Sequence, residues 1–354
     1  MSNAMKVLLV EPPRSRTYYT KYPPLGLLKI GAHHKRLGHE VRLVRGQLED
    51  GWKPDAVYIT SLFTYAYGAV HQMIDYYAAT CKRTRIVVGG IYATLCADQL
   101  ERKYGKRINV QRGVMGEHID RILPDYSLVP DWTTSIVFSS RGCIRRCPYC
   151  SVKMLEPVFA AYPSIKNQIW PEHKSIVLWD NNFLASPHWE KVCSELEALG
   201  KEVDFNQGLD ARLVTQDVAR RLMRLRLKMV RFAYDSLQVR EPLRRAIEVF
   251  KGLGLRGREI SVYCLYNFQD TPEDFRQRVS DLLTWGVVAY PMRFEPLEAR
   301  PKSTHVDRGW TEAELEMVAD ARRVVGYGGA FPPAVGLVEK IGASKTFGDA
   351  FSLR

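Results

Sequence analysis

Short apolar runs alternate with amphipathic stretches along most of the chain, and that alternation limits the fold more than any other feature. Lys6–Val10 (KVLLV), Val41–Val44, Ala56–Thr60 and Arg85–Val88 read as strands, whereas Leu25–Leu37, closed by Gly38, and the stretch near Ala69–Ala79 carry helical periodicity. Strands that alternate with helices pair in parallel through crossover connections, so residues 5–125 are expected to form an α/β unit around a doubly wound parallel sheet. A second alternation starts at Ser135. Its strands are predicted at Ser135–Ser139, Ile176–Trp179, Val203–Asn206, Met229–Ala233, Ile260–Leu265 and Val287–Pro291, with helices at about 187–199, 215–227, 240–253 and 271–285. Such a set over ~160 residues suits a partial (β/α)6 barrel, because a full eightfold barrel takes ~250. Leu123–Trp132, with two prolines, reads as a linker. The barrel is placed at 131–300 and a C-terminal helical extension at 301–354, where Trp310–Val325 reads as a helix capped by Thr311 and Glu314.

Composition excludes several classes. The chain has 354 residues, 46% hydrophobic and 25% charged, which is ordinary for a globular protein and excludes a disordered or fibrous one. The longest uncharged apolar stretch, Ile86–Ala97, falls short of the ~18–20 residues of a membrane span, so no membrane association is expected. No basic, apolar, small-residue leader is recognisable and a cytoplasmic location is expected; Met1-Ser2-Asn3-Ala4 reads as a cloning remnant ahead of a native start at Met5. The net charge of +12 is concentrated in the first 130 residues. A basic half suits an anionic partner such as nucleic acid or a phosphate-bearing cofactor, and equally a plain solvated basic surface.

Seven cysteines, an odd number, argue against a secreted disulfide framework. Cys143, Cys147 and Cys150 fall in one segment, Ser139-Ser140-Arg141-Gly142-Cys143-Ile144-Arg145-Arg146-Cys147-Pro148-Tyr149-Cys150-Ser151, with C-x3-C-x2-C spacing just after a predicted strand. A loop can wrap three thiolates around one centre, whereas a strand sends alternate side chains to opposite faces. Thiolates favour zinc or iron–sulfur clusters. A structural zinc wants four protein ligands and only three are local here; on a four-iron cubane three cysteines leave one iron open.

The C-x3-C-x2-C motif, with an aromatic before its third cysteine and a position after the first strand of a partial barrel, resembles the radical S-adenosylmethionine (radical SAM) superfamily over about 131–300. The resemblance implies a [4Fe-4S] cluster on Cys143, Cys147 and Cys150, SAM chelated to the open iron, and reductive cleavage of SAM to a 5′-deoxyadenosyl radical that abstracts hydrogen from a substrate. It also implies an electron donor such as flavodoxin or ferredoxin. Tyr149 would lie against the adenine. Asp180, Asn181 and Asn182 occupy the place of the family's Gly-Gly-Glu motif, which holds the SAM amino group. Gln207 and Arg212 follow the third strand, where an arginine would pair with the SAM carboxylate. Asp235, after the fourth, would accept hydrogen bonds from the ribose. The family's fifth-strand glycine motif is not recognisable at Tyr263–Phe268.

Tyr22-Pro23-Pro24-Leu25-Gly26-Leu27-Leu28, Gly38-His39-Glu40-Val41, Thr60-Ser61-Leu62 and Gly89-Gly90 resemble the Rossmann-type cobalamin-binding-like domain that precedes many radical SAM barrels. That resemblance makes cobalamin a candidate ligand at the C-terminal edge of the first sheet. The histidine-bearing Asp-x-His-x-x-Gly motif is absent, so a scaffold that binds substrate, through Arg14, Arg16, Tyr18 or Tyr19, is the competing reading. His33-His34 lies mid-helix, where neighbours point in different directions, and reads as no metal pair. Three alternatives to a hydrogen-abstracting enzyme stay open. They are a cobalamin-dependent radical SAM methyltransferase, an RNA-modifying enzyme and a non-catalytic cluster-binding or sensing protein. The RNA reading is suggested by the run Arg220, Arg221, Arg224, Arg226, Lys228 and Arg231, which otherwise reads as an exposed helix and its turn. The substrate itself, small molecule or macromolecule, is not legible.

Overall fold

The structure, a computed structural model, describes residues 4–13 and 21–353. The first part is a five-stranded sheet of β1 (Lys6–Glu11), β2 (Glu40–Arg45), β3 (Ala56–Ser61), β4 (Arg85–Gly90) and β5 (Asn109–Gln111). All neighbours are parallel and the order is β2-β1-β3-β4-β5, a doubly wound arrangement whose order reverses beside β1. Its helices are α1 (Leu25–Arg36), α2 (Tyr67–Thr80), α3 (Ile91–Leu95), α4 (Ala97–Tyr104) and α5 (Glu117–Asp120). Period-two alternation explains the winding. Leu8, Val10, Val57, Ile59, Ile86 and Val88 turn to one face and bury Met73, Ile74 and Tyr77 of α2. Val7 and Leu9 turn to the other and meet Leu27 and Ile30 of α1 and Ile119 of α5. Each buried aliphatic side chain contributes about 1.5–3 kcal/mol, so both sheet faces need a helical cover. The sequence reading missed β5 and the helices α3, α4 and α5.

The second sheet holds β6 (Thr134–Val137), β9 (Ser175–Leu178), β10 (Glu202–Phe205), β11 (Arg226–Ala233), β12 (Ile260–Tyr266) and β13 (Val288–Arg293). It is parallel throughout and its strands lie side by side in chain order. Between β6 and β9 come a two-residue antiparallel pair, β7 (Ser140–Arg141) with β8 (Ala160–Ala161), and the short helix α6 (Val152–Leu155). The helices α7 (Trp189–Leu199), α8 (Gln216–Leu222), α9 (Arg240–Gly252) and α10 (Pro272–Thr284) connect the strands. One sheet face packs against them: Ile176 and Leu178, Val203 and Phe205, Val230 and Phe232 share a core with Val192, Leu222, Ile247 and Val279. On the opposite face Ile136, Phe138 and Val177 are covered by Leu25 and Tyr22, which arrive from the first part of the chain. The Tyr22 ring stands edge-on to Trp132 and Trp179, and Asn206 Nδ2 donates to its hydroxyl at 3.1 Å.

Three expectations are corrected. Leu123–Trp132 is no free linker: Tyr126 is buried and its hydroxyl accepts from Ile136 N at 2.8 Å, fastening the segment to the second sheet. The helix expected at 215–227 stops at Leu222, because Arg226 already belongs to β11. The strand expected at Ser135–Ser139 ends at Val137, and the chain re-pairs at Ser140. Past β13 come α11 (Glu312–Val324), with the Thr311–Glu314 capping box, then α12 (Val335–Ala343) and α13 (Phe347–Phe351). No described helix is long and apolar enough to cross a membrane.

Candidate functional site

The C-terminal ends of both sheets open into one cavity of about 880 Å3, within the range of a small-molecule site. Ligands of open α/β sheets sit outside the carboxyl ends of the strands, and here two such edges face each other. The first sheet supplies Thr60, Ser61 and Leu62 after β3 and Gly89 and Gly90 at the end of β4. The second supplies the three-cysteine loop and the turns after β9, β10 and β11.

Cys143, Cys147, Cys150, Tyr149, Asn181, Asn182, Gln207, Arg212 and Asp235 all line this cavity. Asp180 does not. It is buried and its carboxylate accepts from Ser139 N (3.1 Å), Ser139 Oγ (2.6 Å) and Ser140 Oγ (2.7 Å), so it shapes the turn that leads to the cysteines instead of facing a ligand. Burial pushes its pKa up, against the pull of those hydroxyl and amide donors. Arg14, Arg16, Tyr18 and Tyr19 lie outside the described residues.

All three cysteines are partly exposed free thiols. A turn closed by Cys150 N on Cys147 O (3.1 Å) sets the last two, and Arg145 N donates to Cys143 Sγ at 3.3 Å. Burial raises the Cys150 pKa. Among the described residues no three His, Cys, Asp or Glu side chains are gathered closely enough for a single metal ion. Tyr149 donates to Asp235 Oδ2 at 2.6 Å. Asp210, which sequence reasoning missed, binds the loop to the sheet: it accepts from Arg145 Nε (2.9 Å), Arg212 Nε (2.6 Å) and Asn182 Nδ2 (3.2 Å). The amide oxygen of Asn182, Oδ1, is buried without a partner, and so is Trp179 Nε1.

The remaining sequence candidates find structural employment. Arg221 and Arg224 share Glu197 and Arg231 pairs with Asp204, acids from neighbouring elements, while Arg220 pairs with Asp217 of its own helix, so four of the six cations in the run have acidic partners. His34 pairs with His39 and with the Tyr58 hydroxyl, and His33 packs edge-on to His118.

No protein-family model matches the sequence, and no curated protein matches it. Among solved structures, coproporphyrinogen III oxidase (HemN) from Escherichia coli, described as a radical SAM enzyme, is similar over 59% of this chain at 12% sequence identity and a TM-score of 0.37. The likeness covers 58% of that chain, less than two thirds of it.

Proposed function

We propose that the chain is a radical SAM enzyme in which Cys143, Cys147 and Cys150 hold a [4Fe-4S] cluster and SAM binds beside it. The observation that carries this reading is the convergence of the C-x3-C-x2-C loop with Tyr149, Asn181, Asn182, Gln207, Arg212 and Asp235 on one cavity. Three soft donors without a fourth suit a four-iron cluster, which keeps one iron for a non-protein ligand. When bound and reduced, the cluster supplies the electron that cleaves SAM to methionine and a 5′-deoxyadenosyl radical able to take hydrogen from a substrate. The chain's own residues do the rest. Asn181 and Asn182, on the rim of the cavity, would hold the SAM amino group. Arg212, held by Asp210, faces the carboxylate. Asp235 accepts from the ribose and Tyr149 lies against the adenine. Leu62, Ile91, Val114 and Met115 line the wall of the cavity that the first part of the chain supplies.

In this reading residues 5–125 form a cobalamin-binding-like unit, 131–300 a partial (β/α)6 barrel and 301–354 a helical extension. The helices on one face of the second sheet, with strands in chain order, suit such a barrel. The first sheet's edge forms a wall of the same cavity, which favours a second ligand there. That ligand is the substrate or, in the second reading, a corrinoid for methyl transfer.

Mass spectrometry of SAM products tests both. The protein is reconstituted anaerobically, reduced with dithionite and given SAM with and without cobalamin. 5′-Deoxyadenosine from wild type and none from Cys150→Ala is the expected result. S-adenosylhomocysteine that requires cobalamin would select methyl transfer. Fewer than about two irons per reconstituted chain would overturn the cluster assignment.

A further inference from the structure

We infer that Asp120, in the first part of the chain, is a positioning residue for the three-cysteine loop and acts through Arg141. Its functional meaning rests on the radical SAM reading, but its geometry does not.

Asp120 ends α5 and is 6% exposed. Arg141 stands two residues before Cys143. Its Nε donates to Asp120 Oδ2 at 2.9 Å and its Nη2 to Asp120 Oδ1, a two-point grip. The third arm, Nη1, donates to Glu156 Oε1 at 3.0 Å. The other Glu156 oxygen accepts from Gly142 N at 2.6 Å and Asn181 Nδ2 at 2.9 Å. One guanidinium therefore holds a carboxylate from each part of the chain. The second carboxylate staples the loop's first residue to its last and to the rim of the cavity.

The opposite side of Asp120 is fixed as well. Lys29 Nζ, buried in α1, donates to Asp120 Oδ1 at 3.1 Å and to its backbone carbonyl. Both cations lie over the Phe138 ring, Arg141 at 3.3 Å and Lys29 at 5.1 Å from its centre. At the loop's base Gly142 adopts φ +71°, and a Cβ there would sit 2.4 Å from the carbonyl oxygen of Val158. The loop thus returns on itself at a fixed point, and that point is tied to the first sheet's unit by Asp120. A buried ion network adds little net stability over a well-packed apolar one. What it supplies here is orientation, because a guanidinium fork holds two carboxylates in set directions and an ammonium cannot.

The test uses the full chain. In metal-free protein, hydrogen exchange is followed in peptides spanning 142–158 and, as an internal control, 260–266. Asp120→Asn is expected to speed exchange in the loop about tenfold and leave the control strand unchanged, the pattern of local loosening. Asp120→Glu should restore most of the protection. Arg141→Lys, which keeps the charge, should match Asp120→Asn and decides the matter if that variant does not fold. In iron-loaded protein, Arg141→Lys should alter the electron paramagnetic resonance spectrum of the dithionite-reduced cluster. Wild-type loop exchange in both variants would overturn the inference. Should wild type itself hold no iron, the radical SAM reading falls, and the exchange measurement still decides whether Asp120 fixes the loop.

Discussion

The Tyr149 hydroxyl donates to Asp235 at 2.6 Å, joining the three-cysteine loop to the turn after β11 across the mouth of the second sheet. Asp235 Oδ1 in turn accepts from Leu265 N at 3.4 Å, and Phe268 meets the Tyr149 ring edge-on at 5.5 Å. The ring is therefore held by its hydroxyl and its edge, with the loop's cysteines on either side. Tyr149→Phe keeps the ring and removes the tether. We expect iron content to remain at the wild-type level and SAM affinity to fall by about 10–150-fold, the range for one lost hydrogen bond to a charged acceptor. Equilibrium dialysis with labelled SAM reads this out. Unchanged affinity would mean the tether has no part in the SAM site.

Five of the seven cysteines fall into two groups. Cys143, Cys147 and Cys150 line the cavity, whereas Cys193 and Cys264 are fully buried in the core of the second sheet, with thiol pKa values pushed up to about 12 by burial. Cys147→Ala is expected to remove both the iron and the production of 5′-deoxyadenosine. Cys193→Ala and Cys264→Ala should keep both and cost about 1–2 kcal/mol in chemical denaturation, a small cavity's worth. Iron analysis of the variants checks the division, and iron lost from Cys193→Ala at unchanged fold would contradict it.

Two glycines on the cavity wall should answer oppositely to alanine. Gly90 has φ +106°, and a Cβ there would lie 2.0 Å from the carbonyl oxygen of Ser61, so the ends of β3 and β4 would have to separate. Gly26 sits in the first turn of α1 with nothing within 4 Å of its Cβ position. Gly90→Ala should destabilise by at least about 2 kcal/mol, combining backbone strain with a backbone clash. Gly26→Ala should leave stability equal or raise it by about 0.5–1 kcal/mol, since alanine is the better helix former. Urea titrations of the two variants decide this, and an equal loss in both would refute the reading of the wall.

The sequence carried the parts of this architecture that repeat. Strands such as Lys6–Glu11 and Ile260–Tyr266 were legible because a continuous apolar run of that length has few other fates, and Thr311 with Glu314 marked a helix start through a specific pair of hydrogen bonds. Strand β5, three residues long, and the β7–β8 pair, two residues each, are too short to show a period. The site divides in the same way. Cysteine spacing is local, so it groups Cys143, Cys147, Cys150 and Tyr149 in one loop, and all four line the cavity. Asp210, Asp120 and Glu156 act through partners many positions away, and nothing local separates them from surface acids. Asp180 was misread for the converse reason. Its place after β9 is that of a ligand-facing residue, but Ser139 and Ser140 take both of its oxygens.

The last prediction concerns acid. His34 is buried on α1, paired with Tyr58 and His39, and its pKa is lowered to about 4, first by burial and then by His39, His33 and Arg85. His71 is lowered to about 4 as well, by burial and then by Lys103. An unfolded histidine titrates near pH ~6.5. Between that pH and about 4 the unfolded chain takes up protons that the folded one refuses, so stability rises with pH across this window and is lost as pH falls through it. Above pH ~7 both states are neutral at these positions and neither histidine contributes a slope. The Tm is therefore expected to fall from pH 7 to pH 5.5, a range that lies above the titration of ordinary carboxylates. The double variant His34→Gln/His71→Gln should show a shallower fall over the same range. A wild-type slope in that variant would assign the acid sensitivity to other groups.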